Sequence, residues 1–175
     1  SWYVLEPGLA ANFHLTEHGK FFGVNRSSRD ISNEVDLAHL IKLRSQADAL
    51  LVGGATARAE GYQPSKRFET YVFTTQPQKT DLSPITFDKD EGLVKRVGEV
   101  ISAHKRVLSE CGPALLNKML RLGLVNQLFL TVSFAEGPNQ FSTEKSARLL
   151  LELDGYNLDK FEVVGNSALT LWRRA

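Results

Sequence analysis

The sequence has very little cysteine and no long apolar run. Its 175 residues include a single cysteine, Cys111, which excludes an internal disulfide and any metal site built from several cysteines. So little cysteine fits a reducing compartment, and we expect a cytoplasmic location. No apolar stretch approaches the roughly 18 to 20 residues of a membrane span, and the first residues lack the basic and apolar regions of a signal peptide.

An excess of charge of one sign is also missing. Lys and Arg number 21 against 20 Asp and Glu, which leaves a formal net charge of +1. Such a balance predicts no nucleic-acid partner and no membrane partner, and it favours a small-molecule partner. With 42% hydrophobic residues and neither repeats nor a low-complexity linker, the chain predicts a single domain over residues 1–175.

Strand-like and helix-like segments alternate along most of the chain. The predicted strands cover residues 2–5, 49–52, 70–74, 84–87, 106–109, 127–132, 161–164 and 168–172. The predicted helices begin at Ser32-Asn33-Glu34, at Gly53-Gly54, near Leu93 and at Pro113. This alternation predicts a three-layer α/β domain with a mostly parallel central sheet. The last two strands flank Gly165-Asn166-Ser167, which predicts a hairpin and an antiparallel C-terminal edge.

Two strands run directly into a glycine turn that begins a helix. Ala49–Val52 is followed by Gly53-Gly54, and Val107–Glu110 is followed by Cys111-Gly112-Pro113. Each turn places backbone N–H groups and the positive end of a helix dipole at the end of a strand, where dinucleotides bind in open α/β sheets. One such turn is weak evidence, because every α/β protein needs glycines there. Two together predict a dinucleotide site.

The residues around these turns resemble a known family. The run from Arg44 to Tyr62, then Glu110 to Leu116, then Gly123 to Leu128, is similar to the pyrimidine reductases of riboflavin biosynthesis, the RibD C-terminal family. The resemblance extends over residues 25–133 and includes residues 169–174. It implies a dihydrofolate-reductase-like fold, a homodimer, and reduction by NADPH of a ribosylaminopyrimidine 5′-phosphate, in which the ribosyl group becomes a ribityl chain.

The resemblance also implies which residues bind the cofactor and the substrate. The implied cofactor residues are Gly53, Gly54, Thr56, Glu60, Thr75, Cys111, Gly112, Pro113, Ala114, Leu115 and Leu116. The implied substrate residues are Ser28, Arg44, Arg67 and Glu110, with the two guanidinium groups on the phosphate and the carboxylate on the pyrimidine edge. Hydride transfer needs positioning and a proton source, and Asn12 and Glu110 occupy the implied catalytic positions.

Two departures from the family pattern affect the proton source and the second turn. The family has Ser-Leu-Asp-Gly after its first strand, whereas this chain has Ala10-Ala11-Asn12-Phe13, and an amide cannot donate a proton as an acid. An alignment shifted by a few residues would place Glu17-His18-Gly19 there instead, and His14 and His18 are then alternative donors. Cys111 stands where the family often has glycine, which would alter the approach of the cofactor.

These departures leave two other functions open. Asn12-Phe13 and a short segment between Thr75 and Glu110 would permit a reductase of another pterin-like or small carbonyl substrate. If Phe13 blocked the nicotinamide pocket, the chain would be a nucleotide-binding protein without turnover.

Overall fold

The computed structural model describes residues 1–21 and 34–175, without the side chains of Glu34, Val35 and Glu60. The described strands are β1 (Gly8–Thr16), β2 (Ala49–Gly53), β3 (Glu69–Thr74), β4 (Ser83–Thr86), β5 (Arg106–Ser109), β6 (Gln127–Ser133), β7 (Tyr156–Val164) and β8 (Ser167–Arg174). The described helices are α1 (Glu34–Gln46), α2 (Gly54–Glu60), α3 (Asp90–Ala103), α4 (Pro113–Arg121) and α5 (Gln140–Arg148). The helix cap predicted at Ser32-Asn33 lies outside the described residues.

The eight described strands form one sheet in the order β4-β3-β2-β5-β1-β6-β8-β7. The first six in this order are parallel, and β8 pairs antiparallel with both β6 and β7. Leu43 of α1 packs against one face, and Leu93 of α3 and Leu116 of α4 pack against the other. The predicted three-layer arrangement, with its mostly parallel sheet and antiparallel C-terminal edge, is confirmed.

The segment before β1 is not the strand predicted at residues 2–5. Tyr3 and Leu5 are buried as apolar strand residues would be, but two glutamine side chains satisfy the backbone there. Gln46 accepts from the Leu5 N–H and donates to the Tyr3 carbonyl. Gln127 donates to the Val4 carbonyl in the same way. With these groups occupied, the segment packs against the sheet without joining it.

The first strand lies further along the chain, and this changes the place of Asn12. Ala10-Ala11-Asn12-Phe13 does not follow the first strand but lies inside β1. The residues that follow the strand are Glu17-His18-Gly19, in a turn where Gly19 has φ 78°. Glu17-His18-Gly19, and not Ala10-Ala11-Asn12-Phe13, is therefore the segment that follows the strand.

Helix α5 occupies a segment for which the sequence analysis predicts no helix. Its buried residues are Thr143, Ser146 and Ala147, which give no apolar periodicity to detect. The helix is recognisable only from its start, where the Asn139 side chain accepts from the Ser142 N–H at 2.9 Å in a capping box. Among the described helices, none combines the length and apolar character that crossing a membrane requires.

Strands β1 and β5 separate from each other towards their carboxyl ends. These strands pair only as far as Ala11 and Ser109, whereas β1 stays paired with β6 up to Thr16. The helices that follow the two strands, α1 and α4, pack on opposite faces. This is a topological switch point, where open α/β sheets form a ligand-binding crevice at the carboxyl ends of their strands.

Candidate active site

A cleft of about 530 Å³ opens where β2, β3 and β5 end. Most of the residues predicted for the cofactor line it, namely Gly53, Gly54, Thr56, Thr75, Gly112, Pro113, Ala114 and Leu115. Glu60 ends α2, and its side chain lies outside the described residues. The two glycine turns that the sequence analysis singled out therefore form one site.

The two turns approach each other closely and present helix N-termini to the cleft. A Cβ atom built on Gly112 would lie 3.6 Å from Thr56 Oγ1. Gly53 is the N-cap of α2 and Gly112 is the N-cap of α4. Glycine has no side chain that could accept from the first N–H groups of a helix, so these donors stay available to an anion.

The cleft also contains positive charge and aromatic surface. Arg58 and Lys118 line it, as do Phe21, Phe73 and Phe87. Arg58 donates a hydrogen bond to Gln78, and Lys118 Nζ lies 5.8 Å from the centroid of the Phe87 ring. Two cations beside two helix N-termini suit phosphate groups, and the aromatic walls suit a flat ring. The only sequence signal for Arg58 is its position two residues after Thr56.

Two of the predicted cofactor residues do not line the cleft. Cys111 and Leu116 are buried in the main apolar cluster of the protein. Ser109 Oγ lies 3.0 Å from the Cys111 sulfur, and burial raises the pKa of this thiol to about 12. These two side chains pack in the core beneath the second turn. Cys111 is too deeply buried, and the pKa of its thiol is too high, for it to act as a nucleophile.

A buried ion pair lies on the α1 side of the sheet. The Glu110 side chain is fully buried and accepts from Arg44 Nε at 2.6 Å and from Arg44 Nη2. Tyr62 donates to the same carboxylate at 2.5 Å. Burial alone would lower the pKa of Arg44, but the hydrogen bonds and charge of Glu110 raise it above its ordinary value. Burial and the charge of Glu110 also raise the pKa of Tyr62.

Three of the four predicted substrate residues meet at this pair. Arg67, which is exposed, donates from Nη2 to the backbone carbonyl of Arg44 at 2.9 Å. Ser28 lies outside the described residues. Tyr62 was not foreseen as part of the site, because nothing in a single sequence brings it to Glu110. Since Arg44 and Tyr62 occupy the carboxylate, contact of Glu110 with a pyrimidine stays a prediction.

A second polar group lies further along β1, and we call it the Asp-His-Ser array (Asp36, His14 and Ser133). His14 Nδ1 lies 3.3 Å from Asp36 Oδ2, and His14 Nε2 lies 2.6 Å from Ser133 Oγ. The His14 and Asp36 side chains are each 9% exposed, and Ser133 is half-buried. Asn12, the predicted catalytic residue, is half-buried two positions before His14. The sequence analysis had named His14 as a possible donor, but it could not bring together three residues so distant in sequence.

Comparisons with known proteins agree with this geometry. The family profile of the RibD C-terminal domain matches residues 8–134. A pyrimidine reductase-like protein from Corynebacterium diphtheriae is 18% identical, with a TM-score of 0.69 over 99% of this chain and 94% of the other. Dihydrofolate reductase from Enterococcus faecalis, solved with NADP(H), is 15% identical, with a TM-score of 0.66 over 98% and 99%. The riboflavin biosynthesis reductase of Saccharomyces cerevisiae is 14% identical, with a TM-score of 0.64 over 98% and 91%.

No curated protein matches the sequence itself. At such low identities the structural likeness concerns the fold, and the predicted dihydrofolate-reductase-like fold is confirmed.

Proposed function

This chain belongs to the RibD C-terminal domain family, and on that basis we propose that it is a reductase of riboflavin biosynthesis. It would use NADPH to reduce a ribosylaminopyrimidine 5′-phosphate to the ribityl compound. The observation that carries the proposal is the cleft in which both glycine turns meet. Two structural neighbours are reductases: one is a riboflavin biosynthesis reductase, and the other is a dihydrofolate reductase solved with NADP(H).

The residues of the cleft fit a phosphorylated dinucleotide. The N–H groups of Ala114 and Leu115 in the first turn of α4 and the hydroxyl of Thr56 would hold the pyrophosphate, with Arg58 and Lys118 supplying positive charge. Thr75, at the end of β3, would meet the 2′-phosphate of the adenosine half. When NADPH is bound there, it supplies hydride. The protein's part is to orient the nicotinamide against the substrate and to exclude water.

The substrate would bind on the α1 side of the crevice. Arg67 and Arg44 would hold its phosphate, because a guanidinium group can donate to two phosphate oxygens at once. Glu110 holds the Arg44 guanidinium in a fixed orientation through two hydrogen bonds. Contacts of Ser28 with the substrate and of Glu60 with the cofactor belong to this proposal as well, and so do the homodimer and the cytoplasmic location.

The first test is a titration of the purified protein with NADPH and with NADH, followed by tryptophan fluorescence. We expect saturable binding with a preference for NADPH, and NADPH oxidation only when the aminopyrimidine phosphate is added. Binding without oxidation would contradict the proposed substrate. No binding of either nucleotide would contradict the reductase function.

A pair of glycine variants locates the binding site. Gly112 has φ −70°, and its added Cβ would make only ordinary contact with Thr56, so Gly112→Ala should fold normally. Its methyl group would stand between the two turns and weaken NADPH binding at least tenfold. Gly98→Ala is the control, because a Cβ at that position of α3 meets open space. Equal NADPH affinity in the two variants would exclude the cleft as the cofactor site.

A further inference from the structure

The Asp-His-Ser array has the connectivity of a proton-transfer chain. Asp36 lies at Nδ1 of His14 and Ser133 lies at Nε2, so each ring nitrogen faces one partner. The carboxylate and the imidazole are almost completely buried, whereas Ser133 is half-buried at the end of β6. A carboxylate in this place stabilises an imidazolium and fixes the orientation of the ring. Ser133 is then the least buried member of the chain.

The array lies on the same face of the sheet as the proposed substrate residues. Ala10 and Leu108 belong to one cluster beneath α1. Because side chains alternate along a strand, Asn12 and His14 share the face of Ala10, and Glu110 shares the face of Leu108. His14 also lies beyond Ala11, in the part of β1 from which β5 has separated. The array and the Arg44–Glu110 pair therefore lie on either side of the same crevice.

The two predicted catalytic residues on this face of the crevice are poor acids. Asn12 is an amide, and Glu110 already accepts hydrogen bonds from Arg44 and Tyr62. The raised pKa values of Arg44 and Tyr62 keep both protonated. An imidazole can both donate and accept a proton, and the two ring nitrogens of His14 face Asp36 and Ser133.

The neighbouring backbone argues against acyl transfer by the same three side chains. A serine nucleophile needs N–H donors directed at a developing oxyanion. The amides that follow Ser133 are occupied, because Phe134 N–H donates to the Asn166 carbonyl at 2.8 Å and Ala135 N–H donates to Glu17 Oε2 at 2.6 Å. The geometry suits donation of a proton better than attack on a carbonyl.

We propose that the Asp-His-Ser array is the proton source of the reductase, with Ser133 as the group that touches the substrate. This inference rests on the proposed function. As the imine carbon of the substrate receives hydride from NADPH, the electron pair of the C=N bond moves to nitrogen, which takes the proton of Ser133 Oγ. Ser133 recovers a proton from Nε2 of protonated His14, which Asp36 holds, and water returns the proton to neutral His14. The imine is reduced to an amine and NADPH is oxidised to NADP⁺.

The test compares His14→Gln, Asp36→Asn and Ser133→Ala with wild type and with His104→Gln. His104 is the matched control, because it is a histidine that follows α3 and contacts Tyr71, outside both the cleft and the array. Thermal melting and NADPH affinity check that each variant folds and retains its cleft. The measured quantities are kcat, KM for the aminopyrimidine phosphate and the solvent deuterium isotope effect on kcat.

We expect kcat to fall on the order of 100-fold in His14→Gln and at least about tenfold in Ser133→Ala, in the range that general acid catalysis contributes. KM and NADPH affinity should stay close to wild type, and His104→Gln should keep its rate. The solvent isotope effect should increase in Ser133→Ala, because proton transfer becomes slower. Wild-type kcat in His14→Gln or in Ser133→Ala, or an equal loss in His104→Gln, would overturn the proposal and leave the reductase function intact.

A second readout needs no turnover. In protein with isotope-labelled histidine, the His14 Nδ1–H that faces Asp36 should give a slowly exchanging N–H signal, absent from His14→Gln and changed in Asp36→Asn. Absence of this signal from the wild type would overturn the proposal that the array is the proton source. If the wild type binds NADPH but does not oxidise it with the aminopyrimidine phosphate, the proposed function fails and the array fails with it.

Discussion

Removal of Arg44 should destabilise the protein more than removal of the charge it pairs with. In Arg44→Ala the Glu110 carboxylate stays fully buried and retains only the hydrogen bond from Tyr62. In Glu110→Gln the remaining guanidinium is 29% exposed and can regain water. The two variants break the same ion pair, so the difference between them measures the cost of an uncompensated buried carboxylate.

The magnitudes follow from these environments. Leaving one charge of a buried pair without its partner costs about 3 to 5 kcal/mol, and we expect Arg44→Ala to fall in that range. For a chain of this length that corresponds to a fall in Tm of roughly 6 to 20 °C. Glu110→Gln keeps the shape of the side chain and one acceptor, so it should lose only about 1 to 2 kcal/mol.

Urea unfolding of the wild type, both single variants and the double variant gives the four free energies of unfolding. The double variant should be more stable than Arg44→Ala alone, because the second substitution removes the buried charge. The reasoning is refuted if Arg44→Ala costs no more than Glu110→Gln, or if the double variant is the least stable of the four.

Three further predictions concern separate parts of the molecule. Arg67→Ala should weaken binding of the phosphorylated substrate by on the order of 2 kcal/mol in calorimetric titration, whereas alanine at its exposed neighbour Lys66 should not, and equal losses would argue against the phosphate contact. Burial raises the pKa of the Cys111 thiol from 9.0 to about 12. The protonated thiol therefore makes its full contribution to stability below about pH 9, and this contribution is lost as the pH rises towards 12. Thermal melts should show that Cys111→Ala loses less stability over this range than wild type, and parallel curves would contradict this. Asn139→Ala removes the cap on the Ser142 N–H and should lower the free energy of unfolding by about 1 kcal/mol, so an unchanged urea midpoint would show that the cap contributes nothing.

The α/β alternation was readable from the sequence because most of its elements carry their own signals. The β-branched and aromatic run of β3 and the apolar periodicity of α3 are examples. The errors have tertiary causes. Residues 2–5 have strand-like composition, but Gln46 and Gln127 take their backbone hydrogen bonds. Helix α5 buries hydroxyl groups and a small side chain, a pattern that local periodicity does not reveal.

The site was predictable where the residues that form it lie close together in the sequence. The two turns at Gly53 and Gly112 each lie within one short motif, so the cleft they form could be inferred before its geometry was known. Tyr62 meets Glu110 across 48 residues, and His14 meets Ser133 across 119. Contacts between such distant residues depend on how the whole sheet is ordered, which no local pattern specifies. Cys111 was placed at the correct turn, but its burial follows from packing that the sequence did not reveal.

The central claim is that this chain transfers hydride from NADPH to a ribosylaminopyrimidine 5′-phosphate. The most direct measurement uses NADPH deuterated at the transferable position and analyses the pyrimidine product by mass spectrometry. The account predicts a ribityl product that carries the deuterium, formed in equal amount to NADP⁺. A pyrimidine recovered unreduced and unlabelled, from protein that binds NADPH, would contradict it.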